Sequence, residues 1–291
     1  MPEANIIDGK ALAARYREEI ARRVAALRGR GQPVRLDALL VDDGDSAARQ
    51  YSESQRRTCE ALGIGYRLHS LPASARFDDI AGRVLLLNTQ DDCHAIMVHL
   101  PMPEDVDAYE VQRRIDPDKD VEGVNPANIG NVVYGRSSLA PCTALATLRM
   151  IRSTGIELRG ARCVVVGAGD VVGKPIAVLL MREEATVISC NKHSEGIEEL
   201  ARSADVLIAA AGKPELVKGD WVKPGAVVID VGVNRVREAD GSTRTVGDVA
   251  FDQVKQKAAF VSPVPGGVGP MTVAMLLRNV VAAAEGGATD L

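Results

Sequence analysis

Cys163-Val-Val-Val-Gly167-Ala-Gly169-Asp-Val-Val-Gly173-Lys-Pro175 sets three glycines between an aliphatic run and an apolar helical pattern. A strand that ends in glycines and opens onto a helix lets the backbone approach a pyrophosphate, which the helix N-terminal N–H groups receive. The spacing, Gly-x-Gly-x-x-x-Gly, is one residue longer than the usual dinucleotide fingerprint. A tight turn needing φ > 0 would use the same glycines. Context favours the dinucleotide: a strand at Cys163–Val166, a helix at Val171–Met181 and further units beyond. Strands are expected at Thr186–Cys190, Val206–Ala209, Val227–Val231 and Phe260–Ser262, a helix at Ile197–Ala201, and a hairpin turn at Asp240-Gly241.

The nucleotide's identity stays open at this level. The NAD ribose usually meets an acid at the end of the second strand, whereas the 2′-phosphate of NADP meets cations. That end reads Cys190-Asn191-Lys192-His193-Ser194, which holds no acid. Lys192 can pair with a 2′-phosphate, and Asp170 in the glycine loop would oppose one.

The first half of the chain alternates in the same way. Asp8 caps a helix with apolar positions Leu12, Tyr16, Ile20, Val24 and Leu27. A strand follows at Val34–Val41, then a helix from Asp45 or Ser46 to Leu62, ended by Gly63. Strand Ile64–Leu68, helix Phe77–Leu87 and strand Ala95–Leu100 come next, and Pro101-Met-Pro103 stops the last. Such alternation is the signature of parallel α/β layers. Pro141–Thr154 is a connecting helix closed by Gly155. Pro263-Val-Pro265-Gly266-Gly267-Val268-Gly269-Pro270, the densest set of constrained residues, leads into a helix at Met271–Ala284.

Length and composition bound the rest. At about 100–200 residues per domain, 291 residues make two domains. Aromatics at 3% are too few for the stacking platforms of single-strand nucleic-acid binders. A net charge of −4 argues against nucleic acid or an anionic membrane as partner. The N-terminus has no signal-peptide pattern, and no apolar run approaches the ~18 residues of a membrane span. Five cysteines without a Cys-x-x-Cys pair fit reduced thiols and a cytoplasmic location. His94 and His99 point to opposite faces of one strand, so no metal site is expected.

The proline-glycine run resembles, without a gap, the signature of the bifunctional methylenetetrahydrofolate dehydrogenase/methenyltetrahydrofolate cyclohydrolase (FolD) family. So do Lys119-Asp-Val-Glu-Gly123, Pro141-Cys-Thr143, Gly167…Val172-Gly-Lys-Pro175, Val228-Ile-Asp-Val-Gly232-Val-Asn234 and Gly247-Asp-Val249. The resemblance runs through essentially the whole chain in order. It implies two α/β domains with a cleft between them: a catalytic domain over 1–140, completed by the terminal helix at 270–291, and a Rossmann-like NAD(P)-binding domain over 141–269. It also implies a homodimer.

By the same resemblance, Tyr51, Gln55, His99 and Glu122 occupy catalytic positions, and Tyr51, Glu122, Pro265, Gly266 and Gly267 face the folate. Thr143, Gly167, Gly169, Asp170, Gly173, Lys174, Pro175, Lys192, His193, Ser194, Val231, Gly232 and Thr272 fall to the nucleotide, NADP or NAD.

Several cleft positions depart from the family's pattern. Its active-site helix reads Ser-x-x-Tyr-x-x-x-Lys; here Ala48 and Gln55 replace the serine and lysine around Tyr51. His99 stands for the glutamine of Gln-Leu-Pro-Leu-Pro, and Glu122 for the aspartate of Lys-Asp-Val-Asp-Gly. Ala144, Leu145 and Ala146 replace Pro-Lys-Gly, and Gly167-Ala-Gly169 replaces Gly-Arg-Ser. Hydride transfer mainly needs alignment, whereas hydrolysis needs acid–base work to which a positioned group contributes about 10²–10⁴-fold. Glutamine neither gains nor loses a proton near neutrality. The expected activity is therefore oxidation of 5,10-methylenetetrahydrofolate with cyclohydrolase weakened or lost. The alternatives are an oxidoreductase of a modified pterin or other cyclic amine, a non-catalytic paralogue, and full bifunctional activity with His99 as base.

Overall fold

The computed structural model describes residues 3–42, 47–136, 139–238 and 241–287. In chain order, β1 (Asn5–Ile6) precedes α1 (Gly9–Gly29), whose start is capped by Asp8. The Asp8 carboxylate accepts from the Lys10 and Ala11 amides at 2.9 and 3.0 Å. Next come β2 (Arg35–Val41), α2 (Ala47–Ala61), β3 (Gly65–Leu71), α3 (Phe77–Asn88) and β4 (Ala95–Val98). The proposed caps Asp45 and Ser46 lie outside the described residues. Gly63 ends α2 with φ +77°, a conformation that suits glycine.

Two short helices then appear that periodicity did not signal, α4 (Ala108–Gln112) and α5 (Pro126–Val133), each capped by an Asx side chain, Asp107 and Asn125. α6 (Cys142–Arg152), β5 (Arg162–Val166), α7 (Gly173–Arg182), β6 (Thr186–Cys190), α8 (Ile197–Arg202), β7 (Val206–Ala209) and β8 (Val227–Asp230) follow. β9 (Asn234–Arg237) and β10 (Thr243–Val246) form the expected antiparallel hairpin. Its turn runs through Gly241 at φ +85°, and Asp240 lies outside the described residues. α9 (Phe251–Val254), β11 (Phe260–Val261) and α10 (Val268–Ala284) complete the chain. α7 starts two residues later than expected and α10 three earlier. In each case backbone hydrogen bonds, rather than apolar spacing, set the first turn.

The chain divides into two compact units. One holds residues 3–14 and Thr143–Met275, built on a wholly parallel sheet in the order β1-β11-β8-β7-β5-β6. The other holds Arg15–Cys142 and 276–287, around the parallel sheet β3-β2-β4. The extreme N-terminus, assigned from sequence to the first half, therefore belongs with the later residues. β1 pairs with β11, Asn5 beside Phe260 and Ile6 beside Val261, which extends the larger sheet by one strand. The four-residue strands β7 and β8 are buried throughout, as strands covered on both faces must be.

Candidate functional site

In the smaller sheet, register fixes which side chains meet α2. Leu36 pairs with Tyr66 and Ala95, and Ala38 with Leu68 and Met97, so these residues share one face. α2 lies on that face with Ser52, Gln55 and Cys59 buried. Ser52 Oγ and Tyr66 Oη are 2.9 Å apart, and Tyr66 Oη lies 3.3 Å from His99 Nε2. Burial pushes the Tyr66 phenol up to about 12, so it keeps its proton. One turn before Gln55, Tyr51 is 46% exposed and meets the His99 ring edge-on, with centroids 5.9 Å apart.

Gln55 is buried, and its Nε2 donates to the Met97 sulfur at 3.1 Å. Its Oε1 is buried without a partner. His99 is buried too, and burial pushes its imidazole down to about 4. A ring held neutral in this way is a poor general base at neutral pH, where catalysis favours a pKa near the working value.

Glu122 sits two residues beyond Asp120, which bridges to Ile96 beside β4. Burial, then the nearby Asp120 carboxylate, pushes the Glu122 carboxyl up to about 8; a hydrogen bond to the Val98 backbone pulls the other way. Its Oε2 is buried and unpartnered. Glu122 and Cys142 both raise the pKa of Tyr51, after burial, which puts the three in one electrostatic neighbourhood. Asn279 of α10 braces the segment: its Nδ2 donates to the carbonyls of Val121 and Ala140 at 2.9 and 3.0 Å. Lys119, in the same motif, donates to the carbonyls of Asn88 and Gln90 at 2.8 and 2.9 Å and so closes the C-terminus of α3.

The glycine loop belongs to the larger sheet. Gly167 follows β5 with φ +113°, and a Cβ there would meet the Ala210 carbonyl oxygen at 2.2 Å. A Cβ on Gly173 would lie 1.8 Å from the Gly167 carbonyl oxygen, so this glycine lets α7 start against the loop. Gly169 is different: it is exposed, and nothing lies within 4 Å of its Cβ position. That open backbone before a helix N-terminus suits a dinucleotide's pyrophosphate. Asp170 is paired with Lys174, which offsets the charge that would oppose a 2′-phosphate. Pro175 is buried in the first turn of α7. Past β6, Ser194 Oγ accepts from the Asn191 amide at 3.0 Å, and this turn exposes Lys192 and His193.

Beside the expected nucleotide residues Val231 and Gly232, two buried aspartates, Asp230 and Asp248, organise the backbone. Asp230 accepts from the Gly232, Asp248 and Val249 amides at 3.1, 2.9 and 3.0 Å. Burial pushes its carboxyl up to about 7. Asp248 accepts in turn from the Ala211 and Gly212 amides at 2.6 and 2.8 Å and from Asn234 Nδ2 at 2.8 Å. Gly232 is buried because a Cβ would meet Asp248 Oδ1 at 2.1 Å, and Val231 beside it is half-buried. Thr143 is half-buried in the first turn of α6, and Thr272 Oγ1 donates to the Val268 carbonyl within α10 at 3.2 Å.

In the proline-glycine loop, Pro265 is exposed after a cis peptide bond and Gly266 has φ +109°. Gly267 is buried, and a Cβ on Gly9 would come within 1.8 Å of its carbonyl oxygen. The start of α1 thus packs on this loop and brings Lys10 beside Gly266. Lys10 was not singled out from the sequence, because the loop it meets lies far along the chain. Among the described residues, no group of three or more His, Cys, Asp or Glu side chains could hold a metal ion. Among the described residues, no helix is long and apolar enough to cross a membrane.

Residues 7–122 match the family model for the tetrahydrofolate dehydrogenase/cyclohydrolase catalytic domain, and residues 141–287 match that for its NAD(P)-binding domain. The chain belongs to this family. A bifunctional FolD protein of Pelobacter propionicus is 44% identical over 287 residues, covering 99% of this chain and 100% of that one. The crystal structure of the bifunctional FolD enzyme of Campylobacter jejuni superposes with a TM-score of 0.92 at 36% identity, covering 97% of this chain and 99% of that one. The Trypanosoma brucei FolD, solved with NADP and an inhibitor, gives 0.90 at 37% identity and covers 98% of each. FolD membership gives the chain a catalytic-domain part over residues 7–122 and an NAD(P)-binding part over residues 141–287.

Proposed function

We propose that this chain oxidises 5,10-methylenetetrahydrofolate to the 5,10-methenyl form with NAD(P), and that hydrolysis of the methenyl product is weak or absent. The reading rests on Gln55. It occupies the lysine position of the family's helix, it is buried, and its amide is tied to the Met97 sulfur. No proton can be taken up or released there near neutral pH. The neighbouring His99 is a poor substitute, since burial holds its imidazole at about 4.

Hydride removal makes a smaller demand on the protein. Bound NAD(P) supplies the hydride acceptor. The chain's own contribution is alignment, through Tyr51 packed edge-on against His99 and Glu122 beside Asp120. On the nucleotide side, the open backbone at Gly169 and the exposed Lys192 are suited to the pyrophosphate and to a 2′-phosphate. On this reading the protein works in the cytoplasm as a homodimer.

Both half-reactions should be assayed in wild type and in Gln55→Lys. Wild type should reduce NAD(P) with methylenetetrahydrofolate and hydrolyse methenyltetrahydrofolate little faster than buffer. The lysine should raise hydrolysis by about 10²-fold or more, the scale of a positioned acid–base group. Brisk hydrolysis by wild type would sink the argument and turn suspicion to His99.

A further inference from the structure

Consecutive residues of β4 each hold one side chain whose hydrogen bonding is left unfinished. The Met97 sulfur accepts the Gln55 Nε2–H at 3.1 Å, and the Val98 backbone hydrogen-bonds the Glu122 carboxyl. What remains on Gln55 is an acceptor, its Oε1, which like Glu122 Oε2 is buried without a partner. Buried polar atoms are ordinarily satisfied, so the Gln55 acceptor calls for a ligand that brings a donor or positive charge.

Sulfur decides which end of the Gln55 amide is left over. A thioether accepts and cannot donate. The reverse orientation would set the amide oxygen's lone pairs against those of sulfur. The carbonyl, the negative end of the amide dipole, is therefore the end that stays unpaired. Tyr51, one turn before Gln55 on the same helix, shares its electrostatic neighbourhood with Glu122 and Cys142, and the His99 ring against it is held neutral. Among the described residues, no lysine or arginine contributes to the electrostatics of Tyr51, His99 or Glu122.

We propose that the Gln55 carbonyl is a receptor for the cation left on the folate's one-carbon bridge by hydride loss, selecting the cation over the neutral substrate, with Met97 positioning that carbonyl. The inference rests on the dehydrogenase reading above. In that step a C–H bond of the bridge breaks, and both its electrons leave with the hydride for the nicotinamide. A bridge-nitrogen lone pair closes the C=N bond, positive charge spreads over N–C–N, and no proton is released. Because the charge develops in the transition state, an acceptor already oriented there favours the step as well as its product. Met97 acts only through Gln55 and is a positioning residue.

The test is equilibrium binding to the full chain, without nucleotide, of methenyltetrahydrofolate, a cation, and of tetrahydrofolate, which lacks the one-carbon bridge and carries no positive charge there. Affinities are read on mixing, before the free cation hydrolyses. Wild type should prefer the cation. Met97→Leu, a volume-conserving change, should cut that preference by about three- to tenfold, the scale of one hydrogen bond, with tetrahydrofolate affinity unchanged within about twofold. Gln55→Glu should raise the preference and Gln55→Lys invert it. An unchanged ratio in folded Met97→Leu overturns the positioning role, and a wild-type ratio in Gln55→Lys overturns the receptor. Failure of the dehydrogenase reading looks different: wild type would make no reduced nicotinamide from methylenetetrahydrofolate, whatever the binding ratio.

Discussion

Glu122 carries a stability signature that can be read without any ligand. Its carboxyl is pushed from an ordinary 4.5 up to about 8, so the folded state holds a proton that the unfolded chain releases. Stability should therefore fall as pH rises from the ordinary carboxylate range and level off above about 8. Glu122→Gln removes that titration. The difference in melting temperature between variant and wild type should shift in the variant's favour across that window, while the contribution from the distant Asp230 cancels in the comparison. A pH-independent difference would mean that Glu122 is ionised throughout. Sequence spacing located Glu122 and Gln55, but their state comes from what surrounds them. Met97 and Val98 act on them from β4, and strand spacing alone predicts no such partners.

Elements were legible where hydrophobic period and punctuation agree. β6 and β7 fall where the aliphatic runs place them, at Thr186–Cys190 and Val206–Ala209. α4 and α5 were missed because helices of five and eight residues carry too little periodicity and depend on their Asx caps. The glycines separate by role at this scale. Gly247 packs against β8's last residue, and a Cβ on it would lie 1.8 Å from Asp230 Oδ2. Gly247→Ala should cost about 3 kcal/mol or more through strain in the aspartate pair. Gly169→Ala, with open space at its Cβ, should stay within about 0.5 kcal/mol of wild type, as surface changes do. Its nucleotide affinity should nevertheless fall. Denaturant midpoints and nucleotide titration check both; equal stability of the two variants would refute the distinction.

At the scale of the whole molecule, both units are assembled from distant pieces of chain. α1 is divided after Ala14 and α10 after Met275, so each helix contributes to both units. Within the smaller unit, the end of α10 buries Leu276, Leu277, Val280 and Val281, and Arg23 of α1 holds Glu285 at 2.6 Å. Each such side chain is worth about 1.5–3 kcal/mol of burial. The four together come to about 6–12 kcal/mol, which, with bracing by Asn279 also removed, is comparable with the roughly 5–15 kcal/mol by which a domain is stable. A chain stopped after Met275 should fail to give a cooperative unfolding transition for the smaller unit. Differential calorimetry that found both transitions intact would disprove it.

By itself, the sequence determined the alternation of strand and helix, the glycine loop and the motif positions of the FolD family, because each is written in neighbouring residues. It also placed a glutamine where the family has a lysine. Tertiary structure decided the rest. It moved the N-terminal strand into the larger sheet, assigned Asp230 and Asp248 to scaffold, and turned the Gln55 carbonyl away from Met97. Those outcomes depend on groups separated by tens to hundreds of residues. Burial and hydrogen bonding act between whatever the fold brings together, and local pattern does not record it.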